Sequence, residues 1–124
     1  MRTFQIILAD DEQQILHGME RGIDWEGLGF SVAGTAQNGK EALELMEEYH
    51  PDLVISDIKM PFMDGLELAK NIHENYMNTK IILFSGWDDF EYARLAISYG
   101  VSEYIMKPIN YDAVSYTHLT LPTI

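Results

Sequence analysis

Cysteine is absent from the 124 residues. That excludes disulfides and thiolate metal sites, and it fits a cytoplasmic location. Base is scarce: 8 lysines and arginines stand against 20 acids, a formal charge of −12. Such a surface repels phosphate backbones, so no nucleic acid binding is expected of this chain alone. No apolar run approaches the ~20 residues of a membrane helix. The opening MRTFQIILADDE enters strand-like sequence directly, with no signal-peptide cleavage pattern. No membrane association is therefore expected. Internal repeats and low-complexity linkers are also missing. What remains is an ordinary globular composition, 47% hydrophobic, of a length that supports one core but not two.

Short apolar runs alternate with helical periodicity. QIILA (5–9), LVIS (53–56) and IILF (81–84) are continuous apolar segments, the pattern of strands buried on both faces of a parallel sheet. FSVAG (30–34) and EYIM (103–106) are weaker and are expected nearer the sheet edges. Ala42, Leu45, Met46 and Tyr49 repeat at the spacing of one helix face, as do Ala93, Ala96, Ile97 and Gly100. Ile15, Met19 and Ile23 mark a first helix, and Leu66, Ala69 and Ile72 a third. A repeated strand–helix order predicts an α/β fold, a parallel sheet with helices on both faces. Right-handed crossovers then put every strand-to-helix loop at one end of the sheet.

Ligands in such sheets bind at the carboxyl ends of the strands. The first strong strand runs into Asp10, Asp11 and Glu12, and LVISDIKMPFMDG delivers a lone Asp57. Ser85 and Gly86 follow the fourth strand, and Lys107 and Pro108 the fifth. Carboxylates brought together stay ionised only beside a cation. An all-oxygen set without cysteine or clustered histidine suits Mg²⁺ or Mn²⁺ rather than zinc. A divalent ion, a lysine and a hydroxyl are what a transferring phosphoryl group needs. One carboxylate can then act as nucleophile, and Asp57 is the best placed. Each piece has a plainer use. Asp10 or Asp11 could cap the first helix, Lys107 could be a solvated side chain, and Ser85 could open a turn. Asp64–Gly65 reads as a turn and the start of the third helix. The four histidines, His17, His50, His73 and His118, show no ligand spacing.

LADDE, SDIKMPFMDG, FSG and YIMKPI, each after its own strand and in this order, are similar to the receiver domain of two-component response regulators over roughly residues 4–113. FSGWDDFEYARLAISYGVSEYIMKPI is most similar to receivers that precede an AraC-type DNA-binding domain. The resemblance implies a CheY-like, flavodoxin-like (βα)5 fold with strand order 2-1-3-4-5. It makes Asp57 the phosphoacceptor from a sensor histidine kinase. It gives Asp10, Asp11, Asp57 and the backbone carbonyl of Lys59 to Mg²⁺, and it places Ser85 and Lys107 against the phosphoryl group. Ser85 and Tyr104 become the switch pair, acting on the face of the fourth helix, fifth strand and fifth helix. The Lys107–Pro108 bond is expected cis, and Lys59 and Trp87 occupy variable positions that tune dephosphorylation.

The carboxyl end departs from that pattern. NYDAV opens a fifth helix acceptably, but SYTHLTLPTI has poor helix propensity and no apolar face. It resembles translated sequencing-adapter sequence. Residues 1–113 are thus expected to be the receiver and 114–124 a non-native or disordered tail, with the output domain missing and receiver–receiver dimerisation impaired. Two other functions compete. A metal-dependent phosphohydrolase with an aspartyl-phosphate intermediate usually wants a second acid two residues past the nucleophile, where Lys59 stands. A flavin or nucleotide binder needs a glycine- or hydroxyl-rich loop after the first strand, where ADDE would repel phosphate.

Overall fold

The computed structural model describes residues 3–85 and 103–106. The element order is β1 (Phe4–Ala9), α1 (Gln13–Gly22), β2 (Phe30–Ala36), α2 (Gly39–Tyr49), β3 (Leu53–Asp57), α3 (Gly65–Asn75), β4 (Lys80–Ser85) and β5 (Glu103–Met106). The five strands form one sheet in the order β2-β1-β3-β4-β5, and every pairing is parallel. The two weaker strand segments are the two edges, as their sequence suggested. The helix expected around Ala93–Gly100 and the whole of 107–124 lie outside the described residues.

Period-2 alternation divides the apolar strands between two cores. Ile7, Ala9, Val54, Ile81 and Leu83 face one layer, with Ala42 and Met46 of α2 and Leu66, Leu68, Ala69 and Ile72 of α3. Ile6, Leu8, Leu53, Ile55, Ile82 and Phe84 face the other, with Leu16 and Met19 of α1, Trp25 and Phe30. Each fully buried Leu or Ile contributes roughly 1.5–3 kcal/mol. Trp25 closes the second core: its Nε1 donates to Met19 O at 3.1 Å, and its ring meets Phe30 edge-on.

The first two helical faces follow the sequence expectation except at their margins. In α1 Met19 is buried together with Leu16, Ile15 is half-buried against the same core, and Ile23, the C-cap, is buried there too. In α2 Tyr49 sits at the last turn and is exposed, because the helix ends at His50 in a left-handed cap. At the end of the sheet remote from the candidate site, Asp52 staples three strands. Its side chain accepts from Gln5 N–H at 2.8 Å, its N–H donates to Gln5 O at 2.8 Å, and its carbonyl accepts from Lys80 N–H at 3.0 Å.

Candidate functional site

The carboxyl end of β1 carries three consecutive acids. Asp10 is fully buried; its N–H donates to Ala36 O at 3.0 Å, which holds it against the end of β2. Its Oδ1 accepts from Glu12 N–H at 2.9 Å, a two-residue turn typical of aspartate. The helix therefore starts later than a capping Asp10 or Asp11 would require. Glu12 is the N-cap of α1 and makes no side-chain cap bond. Asp11 and Glu12 are exposed, and one carboxylate oxygen from each of Asp10, Asp11 and Glu12 lies within 4.8 Å of the others. Three oxygen donors at that spacing suit a hard divalent cation, which would also relieve their mutual repulsion. Glu12 stands outside the ligand set that the resemblance implies, although its place beside the two aspartates is visible in the sequence.

Asp57 ends β3, in the middle of the sheet, and is 4% exposed. Ala9 pairs with Ser56, so Asp10 and Asp57 are the next residues on adjacent parallel strands. Asp57 Oδ1 accepts from Ile58 N–H at 2.8 Å, which fixes the orientation of the carboxylate. The Ser56 hydroxyl donates to Asp57 O at 2.8 Å. On the other side, Asp57 pairs with Phe84, so Ser85 comes one residue later. Ser85 pairs with Met106, and Tyr104 with Leu83. The fold thus brings Asp10, Asp57 and Ser85 to one end of three neighbouring strands and sets β5 beside the last. Lys107 and Trp87 lie outside the described residues.

Between Asp57 and α3 runs a loop fastened at both ends. Gly65 N–H donates to Ile58 O at 2.7 Å, and Met63 O accepts from Gly39 N–H at 2.8 Å. A Cβ on Gly65 would stand 2.2 Å from Asp57 O, and one on Gly39 would stand 2.8 Å from Met63 O. Both glycines are there because backbone meets backbone. Asp64 caps α3 by accepting from Glu67 N–H at 2.8 Å, as the Asp64–Gly65 pair suggested. Lys59 is exposed in this loop. The clasp to Gly39 escaped the sequence, since nothing local to Gly39 refers to residue 63.

This sheet order, with acids gathered at the carboxyl ends of β1 and β3, is the CheY-like flavodoxin architecture. The chain belongs to the response regulator receiver domain family, whose pattern it matches over residues 6–116. It is 50% identical over 107 residues to the uncharacterised transcriptional regulatory protein YesN of Bacillus subtilis (strain 168), covering 86% of this chain and 29% of that protein. It is 36% identical over 108 residues to the transcriptional regulatory protein HptR of Staphylococcus aureus (strain NCTC 8325 / PS 47), covering 87% of this chain and 42% of that one. The chain thus spans less than half the length of these curated relatives. Among solved structures, the REC domain of AraT, a response regulator from Geobacillus stearothermophilus, superposes with TM-score 0.89 at 35% identity, covering 95% of this chain and 92% of that one. A two-component transcriptional regulator AraC from Clostridium phytofermentans ISDg superposes with TM-score 0.83 at 30% identity, covering 95% and 97%.

Proposed function

We propose that Asp57 accepts a phosphoryl group from the phosphohistidine of a sensor histidine kinase. A carboxylate oxygen of Asp57 attacks phosphorus, the phosphorus–nitrogen bond breaks, and the histidine nitrogen leaves with the electron pair. The observation that carries this reading is the position of Asp57: buried at the end of the central strand, oriented by Ile58 N–H, level with Asp10 on the adjacent strand. Asp10, Asp11, Asp57 and the Lys59 carbonyl are the proposed holders of Mg²⁺, with Glu12 close enough to take part directly or through water. Bound there, the ion would offset charge on the phosphoryl oxygens. Asp10 and Asp11 contribute the charge that retains the ion, and Ile58 N–H holds the nucleophile in place. Ser85 and Lys107 are proposed to receive the phosphoryl oxygens, and Ser85 and Tyr104 to switch the face formed by the fourth helix, β5 and the fifth helix. In this sense the chain assists its own phosphorylation and dephosphorylation.

The test is mass measurement after incubation with acetyl phosphate, with and without Mg²⁺. One phosphoryl group should add to the unaltered chain only with the ion, and none to Asp57→Asn, which should remain folded. Stoichiometric labelling of Asp57→Asn would overturn the assignment.

In a longer parent, this receiver is proposed to control transcription from the cytoplasm, as the names of its relatives suggest for those proteins. Among the described residues no helix is long and apolar enough to cross a membrane. Residues 114–124 are proposed to be a non-native tail without a stable helix, which would leave the phosphorylated chain monomeric or weakly dimeric. Hydrogen exchange should then find 115–124 unprotected. Sedimentation with beryllofluoride should show little dimer, and a tight dimer would mean that a working fifth helix forms.

A further inference from the structure

In the loop that follows Asp57, one large apolar side chain is left outside the core. Met60 belongs to the core beneath α2 and α3, and Met63 packs against it. Phe62, between them, is 89% exposed. Its backbone is left-handed, at φ 67°, in a three-residue turn closed by Met63 N–H to Pro61 O at 2.7 Å. Phenylalanine is poorly suited to that region, where glycine or asparagine sits with less strain. So exposed a side chain buries little apolar surface in the isolated chain, and backbone strain of this kind concentrates at sites of function.

The geometry points to Phe62 as an apolar contact for the protein that carries the phosphohistidine, a specificity-determining residue for the transfer proposed above, on which this inference rests. Any such donor must place its histidine on Asp57. Gly65 lies against the Asp57 carbonyl, and Phe62 is three residues from Gly65, so chain length keeps it within about 11 Å. Even a small, transient protein interface covers roughly 600 Å² a side, a disc about 14 Å in radius. A donor protein seated on Asp57 with a footprint of that size has Phe62 within its reach, whereas acetyl phosphate need not touch it. Aromatic side chains are enriched at the buried centre of interfaces. The fastenings at Gly39 and Gly65 present this one in a fixed place, so little ordering would be needed on contact.

Phe62→Asn tests this, because asparagine accepts the left-handed backbone and so keeps the loop while removing the apolar surface. The full 124-residue chain and the variant would be compared for phosphorylation by acetyl phosphate. They would also be compared for transfer from a histidine-kinase fragment, phosphorylated on its histidine and chosen because it labels the unaltered chain. The expected result is a fall of about tenfold or more in the transfer rate from the kinase fragment. Labelling by acetyl phosphate should stay within about twofold. Equal rates from the kinase fragment would overturn the inference. A parallel fall with both donors would also overturn it, placing Phe62 in the geometry of the acceptor site. Failure of acetyl phosphate and of every phosphorylated kinase fragment tried to label the unaltered chain would instead overturn the phosphoacceptor reading itself.

Discussion

The loop after β1 and the loop after β3 both deliver aspartates to the same end of the sheet, but their acids are used differently. After β3, Asp64 is consumed by structure: it caps α3 through Glu67 N–H. α2 begins the same way, with Asn38 accepting from Glu41 N–H at 2.9 Å and Glu41 reaching back to Gln37 N–H at 3.2 Å. After β1 there is no such side-chain cap. Asp11 and Glu12 remain exposed beside buried Asp10, with oxygens within 4.8 Å of one another. One loop uses its acids and glycines to fix geometry. The other keeps like charges together, an arrangement that folding alone would not favour and that a cation would relieve.

The strongest way to break this contrast is through the fastened loop. In Gly65→Ala the new Cβ would overlap Asp57 O and approach the Ile58 Cα at 2.9 Å. Neither is the end of a flexible side chain, so α3 or the end of β3 must shift. Destabilisation of roughly 3 kcal/mol, read from the urea midpoint, is expected at the upper end of overpacking costs. Gly39→Ala should cost less, because Met63 Cγ, at 2.7 Å, can move even though Met63 O cannot. A Gly65→Ala variant as stable as the unaltered chain would show that the loop is not fixed as described.

The next pair of variants tests the two uses of acid directly. Asp11→Ala should lower Mg²⁺ affinity on the order of tenfold, equivalent to about 1.4 kcal/mol. Without the metal its unfolding free energy should be unchanged or raised, since one of three crowded charges is gone. Asp64→Ala should do the reverse: a loss of about 1 kcal/mol of stability, typical of a removed N-cap, with Mg²⁺ affinity intact. Calorimetric titration and urea unfolding of both variants provide the four numbers. A stability loss in Asp11→Ala matching that of Asp64→Ala would erase the distinction. For the unaltered chain, Mg²⁺ at about 100 times its dissociation constant should add about 2.7 kcal/mol, removed by a chelator.

The same division explains what could be read from the residues alone. QIILA, LVIS and IILF were legible because burial on both faces demands uninterrupted apolar residues, and Asp10 and Asp57 were legible because they break those runs. β2 proved longer than FSVAG, reaching Ala36, because an edge strand pairing only with β1 tolerates the exposed Thr35. The stripe of α1 was legible in Ile15, Met19 and Ile23, which all pack in or against the second core; Leu16 joins them once the helix docks on the sheet. The closeness of Glu12 to both aspartates depends on the Asp10 turn. The clasp between Gly39 and Met63 depends on two loops meeting. No periodicity encodes a contact of that kind, and a phenylalanine at positive φ runs against every local preference.

The smallest expected effect lies far from either loop, between α2 and α3, and shows what an ordinary surface contact is worth beside them. The Tyr76 hydroxyl donates to Glu47 Oε1. That bond, with some burial and the nearby carboxylate charge, holds the Tyr76 pKa above its ordinary value of 10.0. A raised pKa means that the protonated phenol is the form the fold prefers. The stabilisation is therefore complete below pH 10.0 and is lost as pH rises through the higher folded value. Because the pair is largely exposed, its worth is about 0.5 kcal/mol or less. Tyr76→Phe should lower the urea midpoint slightly at pH 8 and should flatten the alkaline limb of the stability profile, since the phenol is gone. It should leave Mg²⁺ affinity and acetyl phosphate labelling where they were. A loss comparable to that of Asp64→Ala would mean that α2 and α3 rely on this bond as heavily as α3 relies on its cap.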